Sequence, residues 1–334
     1  MDSVTQIVLG STVALACAPK HLGKKAAIWG AVLGTLPDLD VLIPMGDAVA
    51  DFTYHRSFSH SLLVLTLLSP LFAWLIGRIH DIAPRKLFTM VWLALITHPL
   101  LDSFTTYGTQ LFWPLFDYPV SLSSVFIIDP FYTLPLLAFL IAGLRTKAQV
   151  KHHWLAAGLA ISTGYLFLGV GIKQWVESRI ETSLQQQGIH SKRLFSTPAP
   201  FSLILWRAVA MEENGYREVY VSLFDKTLPE PGPLLPQYAG IAEPLPELAA
   251  VERLRWFTHG FYKAELQNQQ LVMTDLRMGM ENNYVFSFVI ANCQADCVAS
   301  EARGLEAKRD PALLGMVWQR MWDQDVSVTS VVGE

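Results

Sequence analysis

Three short stretches of this chain concentrate side chains that bind metal ions. The stretch HRSFSH covers residues 55–60 and supplies two histidines beside an arginine. The stretch THPLLD places His98 and Asp102 four residues apart, so on a helix they share one face, one turn apart. The stretch LPDLD places Asp38 and Asp40 directly after a proline that ends the preceding helix. Imidazole nitrogens and carboxylate oxygens without cysteine form a ligand set that suits zinc or manganese.

These stretches define six candidate ligands for one to three divalent ions. The candidates are Asp38, Asp40, His55, His60, His98 and Asp102. Asp40 is also a candidate for orienting or activating a water molecule, and Arg56 for binding an anionic substrate. Weaker candidates are Asp2, Gln6, Asp117 and Asp129. Asp129 either belongs to the outer layer of the site or simply begins a helix. The alternative for the whole set is a group of ordinary interfacial residues that share a face by chance.

The composition divides the chain into an apolar half and an ordinary half. Of the 334 residues, 51% are hydrophobic and 16% are charged, and the mean hydropathy is +0.32, which is too apolar for an ordinary soluble enzyme. The long apolar runs fall within residues 1–172. We therefore predict a mostly α protein, with a polytopic helical membrane domain (1–172) followed by a smaller α+β soluble domain (173–334). The net charge of −4, without a dense basic cluster, argues against a stable nucleic-acid partner.

The predicted membrane helices alternate with basic and acidic loops. The helices cover residues 4–18, 26–36, 61–77, 88–106, 122–144 and 154–172, of which the first two are short for a full span. Lys and Arg concentrate in the loops at 20–25, 78–86 and 145–151. The positive-inside rule places these loops in the cytoplasm. The acidic or neutral loops, the candidate ligands and the soluble domain then face outward, which in a Gram-negative inner membrane means the periplasm.

The soluble half shows patterns typical of both strands and helices. Alternating β-branched and aromatic residues predict strands at 217–224, 270–279 and 283–291, and apolar periodicity predicts helices at 247–257 and 311–323. The turn TDLR is interpreted as a structural pair of Asp275 and Arg277 rather than as part of the site. Cys293 and Cys297 have no second pair to complete a zinc knuckle, so they form either a disulfide or two ordinary thiols.

The ligand-bearing motifs resemble a known family. In the order LPDLD, HRSFSHS and HPLLDSFTTYGTQLFWP, they resemble the YdjM-type family of inner-membrane metal-dependent hydrolases over about residues 1–145. That family is more distantly similar to the group of zinc-dependent phospholipase C and P1-type nuclease, whose helical fold holds a cluster of zinc ions. The resemblance implies metal ligation by Asp38, His55, His60, His98 and Asp102, with Asp40 beside them. Gln6 stands where members often have a histidine, which leaves one metal position empty, weaker or completed by Asp2.

Two functional hypotheses follow. The leading one is a membrane-bound, metal-dependent hydrolase at the periplasmic face, acting on a phosphoester such as a lipid headgroup or a nucleotide-like small molecule, with membrane lipid as a partner. The alternative is a non-enzymatic, metal-stabilised membrane scaffold or stress-response protein, in which an ion with filled coordination has a structural role. An ion transporter is less favoured, because the ionisable residues cluster at one face and not at the midplane.

The alternation of loops predicts the side of the membrane on which the C-terminus lies. We expect a C-terminal alkaline phosphatase fusion to be active and a C-terminal green fluorescent protein fusion to be dark. Enzyme assay and fluorescence of the two fusions check this. The reverse pattern would contradict both the topology and the shared location of the candidate ligands and the soluble half.

Overall fold

The chain divides into two compact units that interleave along the sequence. The computed structural model describes residues 1–146, 148–241, 245, 247–294, 297–307 and 311–328. The first unit comprises Met1–Ile43 and Tyr54–Val170, and the second comprises Pro44–Thr53 and Gly171–Glu334. The predicted domain boundary after residue 172 lies close to the division after Val170. No sequence signal predicted that the short segment Pro44–Thr53 belongs to the second unit.

The first unit is built from helices. In chain order they are α1 (Ser3–Cys17), α2 (Lys25–Thr35), α3 (Ala48–Tyr54), α4 (Leu62–His80), α5 (Pro84–Asp102), α6 (Pro130–Arg145) and α7 (Ala148–Gln186), of which α3 and the end of α7 belong mainly to the second unit. Two 3-10 turns, Pro37–Leu42 and Phe58–His60, lie between helices. Both turns contain candidate ligands. Three of the six, Asp38, Asp40 and His60, therefore lie in short 3-10 turns and not in long helices.

Within the described residues, two helices have the length and composition of a membrane span. They are α4 and the stretch Lys151–Gln186 of α7, while α1 and α6 are apolar but shorter. The predicted span at 122–144 is wrong at its start, because the Asp129 carboxylate accepts hydrogen bonds from the backbone of Phe131 and Tyr132 and α6 begins only there. The predicted helix at 154–172 is part of a longer helix, α7, which ends at Gln186. The multi-pass arrangement of six spans stays a prediction.

Glycines let the backbones of α1 and α2 approach closely. A Cβ atom added to Gly30 would lie 2.2 Å from the carbonyl oxygen of Gly10, and one added to Gly34 would lie 2.7 Å from the carbonyl oxygen of Gln6. Small residues at a helix crossing are what membrane helices use to pack tightly, because lipid tails supply no hydrophobic drive between helices. This crossing, together with α5, forms the core of the first unit around such buried side chains as Leu33 and Leu95.

The second unit contains two sheets. The first sheet is antiparallel, in the order β1 (Arg193–Pro198), β2 (Leu205–Met211), β3 (Gly215–Ser222) and β4 (Leu235–Pro236). The second has the order β5 (Tyr238–Ala239), β6 (Tyr262–Gln267), β7 (Gln270–Asp275), β8 (Ser287–Cys293) and β9 (Cys297–Gly304), with only β5 and β6 parallel. Helices α8 (Ala249–Phe257) and α9 (Pro311–Trp322) complete the unit. The predicted α+β character, strands and helices are confirmed, with shifted ends.

Polar and covalent links stabilise the second unit. Arg277 and Asp275 form a buried ion pair at 2.7 Å, as the turn sequence predicted. Cys293 and Cys297 form a disulfide between β8 and β9, so of the two predicted alternatives the disulfide is confirmed and the pair of ordinary thiols is wrong. The ring of Phe52 on α3 packs against aromatic rings of the same unit, which explains why the segment Pro44–Thr53 belongs to it.

The glycine crossing can be tested by adding one methyl group. We expect Gly30→Ala to lower the free energy of unfolding by about 1–3 kcal/mol, because the added Cβ collides with backbone that cannot move aside independently. Thermal unfolding of the detergent-purified protein measures the effect. Gly164→Ala on α7 is the matched control, since a Cβ there meets nothing within 4 Å. Equal stability of the two variants would contradict the close packing of α1 and α2.

Candidate metal centre

Four side chains of the first unit converge on one point. Asp38 lies in the 3-10 turn after α2, His60 ends the 3-10 turn before α4, and His98 and Asp102 lie in the last turns of α5. One ligand-capable atom from each of the four lies within 4.8 Å of the other three. His60, His98 and Asp102 are buried, whereas the side chain of Asp38 is 23% exposed. The centre therefore opens to the outside beside Asp38.

The distances within this group match those between ligands of one small cation. The Nε2 atoms of His60 and His98 are 3.1 Å apart. Each lies 3.4 Å from Oδ1 of Asp38, and they lie 3.4 and 3.5 Å from Oδ2 of Asp102. Zinc–nitrogen and zinc–oxygen bonds of about 2.0 Å in a tetrahedron put neighbouring ligand atoms roughly 3.3 Å apart. Five of the six separations therefore agree with tetrahedral coordination.

The proton on His98 is fixed by a backbone carbonyl. Its Nδ1 lies 2.6 Å from the carbonyl oxygen of Gly34, an atom that only accepts hydrogen bonds. Nδ1 must therefore donate, and Nε2 of the neutral ring presents a lone pair to the centre. A ring nitrogen bonded to a carbonyl while the other faces the ion is the usual arrangement of a metal-binding histidine.

The proton on His60 is fixed through Ser59. The Ser59 hydroxyl donates to Oδ2 of Asp40 at 2.5 Å and lies 2.9 Å from Nδ1 of His60. The Ser59 hydroxyl has one proton, which it donates in the hydrogen bond to the Asp40 carboxylate. Its oxygen must therefore accept a hydrogen bond from Nδ1–H of His60. Nε2 of His60 is then also a lone pair. Two lone pairs face each other at 3.1 Å, with carboxylate oxygens around them.

Four acceptors without a proton among them form a site for a cation. Oδ2 of Asp102 is buried and makes no hydrogen bond with the described residues, although it lies 3.2 Å from Nε of Arg56. Its other oxygen accepts from the Gln6 amide at 2.9 Å and from the amino group of Met1. A buried carboxylate oxygen that no donor satisfies is costly unless an ion is bound. The residues present thus fit a divalent metal.

The surroundings of Asp38 keep its carboxyl ionised. Burial raises the pKa of Asp38, but hydrogen bonding to the imidazoles of His60 and His98 outweighs it and holds the pKa of this carboxyl well below its ordinary value. The ionised carboxylate is the form that binds a cation, so this lowered pKa of Asp38 favours metal binding.

Asp40 and His55, the other two predicted ligands, lie beside this group and bond to each other. Oδ1 of Asp40 is 2.8 Å from Nδ1 of His55, and its Oδ2 accepts from the backbone N–H of Arg56 at 3.1 Å. Burial raises the pKa of Asp40, but the hydrogen bonds from His55 and Ser59 outweigh it, so the net pKa lies below its ordinary value. The ring centroids of His55 and His60 are 5.8 Å apart. The structure thus separates four converging ligands from a neighbouring Asp–His pair.

Arg56 is buried against the centre. Its Nη1 donates to the Thr105 hydroxyl at 3.2 Å, its Nε lies beside Asp102, and its guanidinium carbon is 5.0 Å from the centre of the Tyr107 ring. We predicted a side chain left free for substrate, and the guanidinium instead has these contacts. Its backbone lies in the left-handed region, with φ of 64°, which turns the chain so that His55 and His60 both approach the centre. Its role toward a substrate stays a prediction.

Three of the four weaker candidates have structural roles, whereas Asp117 is exposed, and sequence reasoning missed two important groups. Asp2 and Asp129 cap the first turns of α1 and α6, and Gln6 fixes Asp102 through its amide. Ser59 and the carbonyl of Gly34, which set the tautomers of the two central histidines, were not singled out. Ser59 stood inside the motif HRSFSH, directly before a candidate ligand, and this was the available signal. A backbone carbonyl leaves no signal in sequence.

The two groups predict different effects of substitution on metal content. We expect His60→Ala or His98→Ala to abolish stoichiometric zinc binding, and Ser59→Ala to weaken it by about 10–100-fold because His60 loses the partner that orients its ring. His55→Ala should retain the ion, because His55 bonds to Asp40. Elemental analysis and equilibrium dialysis of the purified variants measure this. Complete loss of metal in His55→Ala would show that His55 is a direct ligand.

Comparison with known proteins agrees with the membrane character of the chain. Inner membrane protein YbcI of Escherichia coli (strain K12) is 32% identical over 112 residues, which cover 33% of this chain and 64% of the relative. The uncharacterized protein YfhP of Bacillus subtilis (strain 168) is 29% identical over 148 residues, covering 41% of this chain and 45% of the relative. The matches thus span about half to two thirds of these relatives.

No solved structure matches the chain, so the distant similarity to phospholipase C and P1-type nuclease stays a prediction. The sequence model of the family described as YdjM inner membrane protein matches residues 1–176, more than half of the chain and all four converging ligands. The protein belongs to the YdjM inner membrane protein family.

Proposed function

We propose that this protein is a membrane-bound, metal-dependent hydrolase of phosphoesters. The observation that supports this is the convergence of four proton-free acceptor atoms at a centre that is buried on three sides and open beside Asp38. A structural ion would be served equally well by four fully buried ligands. A centre with an exposed side instead leaves room for water and substrate next to the ion.

Asp38, His60, His98 and Asp102 would hold the ion, with zinc or manganese suited to this donor set. When bound, a divalent ion lowers the pKa of a coordinated water and withdraws charge from phosphoryl oxygens. We propose one ion at this group. Whether further ions bind, as the predicted range of one to three allows, is a matter for metal analysis.

His55 is placed to accept a proton at the open side. Its side chain is 23% exposed, like that of Asp38, and its Nδ1 is directed to the Asp40 carboxylate at 2.8 Å. Because an ionised carboxylate only accepts, Nδ1 carries the proton and Nε2 is the basic atom. We propose that Nε2 of His55 takes a proton from the attacking water. Asp40 then acts by orienting His55, a more indirect role than the predicted direct activation of water.

The proton transfers of this hydrolysis involve only the water, the ester and His55. The water oxygen forms a bond to phosphorus as one of its protons passes to Nε2 of His55. The P–O bond to the alcohol of the ester breaks, and the alcohol oxygen takes up a proton, returning His55 to its starting form. Arg56 neutralises Asp102 and remains the proposed group for binding the phosphoryl oxygens, since residues 26–77 and 87–144 contain no other Lys or Arg.

Family and relative names indicate an inner membrane protein. We propose in addition that the protein crosses the membrane several times and that the site and the C-terminal unit face the periplasm. Support comes from the alternation of basic and acidic loops along residues 1–172. The substrate is a lipid or small-molecule phosphoester, and we propose no stable nucleic-acid partner.

Hydrolysis of a chromogenic phosphodiester by the zinc-loaded protein tests this function. We expect turnover that a chelator abolishes and added zinc or manganese restores. His55→Gln should keep its metal and lower kcat by about 100-fold or more, the usual contribution of a general base. His21→Gln, at an exposed position outside the site, is the matched control. A metal-replete protein without activity on phosphomonoesters or phosphodiesters would favour the non-enzymatic, metal-stabilised scaffold instead.

A further inference from the structure

The open side of the centre is bordered by exposed apolar side chains on the turn that bears Asp38. This 3-10 turn directs the carboxylates inward and its intervening residues outward. Val41 is 72% exposed and Leu42 is 76% exposed, and their neighbours Leu39 and Ile43 are exposed as well. Four exposed aliphatic side chains beside a buried polar centre are unusual on a water-facing surface, because exposing apolar area to water costs free energy in proportion to that area.

A second loop adds exposed aromatic residues next to the histidine segment. Phe112, Leu115 and Phe116 are exposed, Phe116 to 67%. This loop is bonded to the segment that contains His60: the N–H of Leu62 donates to the carbonyl of Leu111 at 2.9 Å, and the Ser61 hydroxyl donates to the carbonyl of Trp113 at 2.5 Å. We call the two sets together the apolar rim, consisting of Leu39, Val41, Leu42, Ile43, Phe112, Leu115 and Phe116.

The rim is continuous along the chain with a helix that can span a membrane. His60 lies two residues before the start of α4 at Leu62, and α4 is one of the two candidate spans among the described residues. Leu63, Leu67, Leu71 and Trp74 are exposed at spacings of four, four and three residues, which is one helix face. In a bilayer this face meets lipid, and the centre at the end of the helix lies at the depth of the headgroups.

The rim offers no exposed cation. Arg56 is the only Lys or Arg in residues 26–77 and 87–144, and its side chain is buried against Asp102 and Thr105. Enzymes that capture soluble phosphate esters gather charge at the entrance, where it steers and concentrates the anion. A site whose entrance is lined by leucine, valine and phenylalanine side chains instead favours substrates with long apolar chains.

We propose, on the basis of the proposed function, that the substrate is a membrane phospholipid taken directly from the bilayer. The acyl chains stay among the apolar rim and the lipid-facing side of α4, while the headgroup phosphoester reaches the ion beside Asp38 and His55. The rim then binds the part of the substrate that does not react. Binding energy comes from the acyl chains, so recognition of the headgroup charge contributes little to affinity.

The test compares one headgroup on two lengths of acyl chain. The zinc-loaded, full-length protein receives long-chain phosphatidylethanolamine or phosphatidylglycerol in vesicles, and the dihexanoyl forms of the same lipids below their critical micelle concentration. Phosphorus NMR and mass spectrometry measure the products. We expect kcat/KM to be at least about tenfold higher for the long-chain lipids, the effect of a few buried methylene groups. The rates should be similar for both headgroups and insensitive to salt.

Variants of the rim separate lipid binding from chemistry. Leu42→Ser and Phe116→Ser should each lower kcat/KM for vesicle lipid by about tenfold, with a smaller effect on the dihexanoyl lipids, and leave the zinc content unchanged. Ile79→Ser is the matched control, because Ile79 is 64% exposed near the other end of α4. Equal rates on both chain lengths, or rim variants that behave like Ile79→Ser, would overturn the proposal while leaving the hydrolase function intact. Failure to hydrolyse either lipids or chromogenic phosphodiesters would overturn both.

Discussion

The constraint on which the first unit depends is the approach of two imidazole nitrogens, Nε2 of His60 and Nε2 of His98, to 3.1 Å. Behind each ring an oxygen accepts a hydrogen bond from the Nδ1–H group, so the Nε2 lone pairs of the two rings face each other. Carboxylate oxygens of Asp38 and Asp102 complete the surroundings at 3.4–3.5 Å. The three carboxylates of Asp38, Asp40 and Asp102 outnumber the two positive groups beside them, the guanidinium of Arg56 and the amino group of Met1. A cation at the centre would offset the excess negative charge, which burial otherwise makes costly.

This arrangement connects the site to the packing of the helices that surround it. The carbonyl that fixes His98 belongs to Gly34, and Gly34 lies at the glycine crossing where α1 and α2 touch backbone to backbone. Gln6 on the facing helix α1 donates to Asp102. The close crossing therefore sets the position of one acceptor behind a ligand and of one donor behind another. A shift of α1 relative to α2 would move both, which explains why glycines are needed at this crossing behind the candidate ligands.

The sequence predicts which residues form the site better than it predicts which of them converge on one point and which form the neighbouring pair. The spacing of His98 and Asp102 defines a shared helix face, and the placement of three motifs at the ends of apolar runs predicts their convergence. The pairing of His55 with Asp40 accompanies the left-handed backbone of Arg56, and the orientation of His60 depends on its hydrogen bond with Ser59. Residue types show neither feature. Hydropathy alone also extended α6 too far toward its N-terminus. The start of a helix at Asp129 was one of the two alternatives stated for that residue, but the apolar run before it moved the predicted span to residue 122. The insertion of Phe52 among the rings of the second unit depends on tertiary packing, for which no local pattern exists.

The location of the centre at helix ends follows from the same electrostatics. A carboxylate in the middle of a membrane span would lie in hydrocarbon without water or a partner, and its burial would be prohibitive. At the end of α5 and in the turns beside α2 and α4, irregular backbone supplies N–H and hydroxyl donors to the carboxylates, as the backbone of Arg56 and the Ser59 hydroxyl do for Asp40. The centre is thereby dry enough to strengthen its charges and still open on one side.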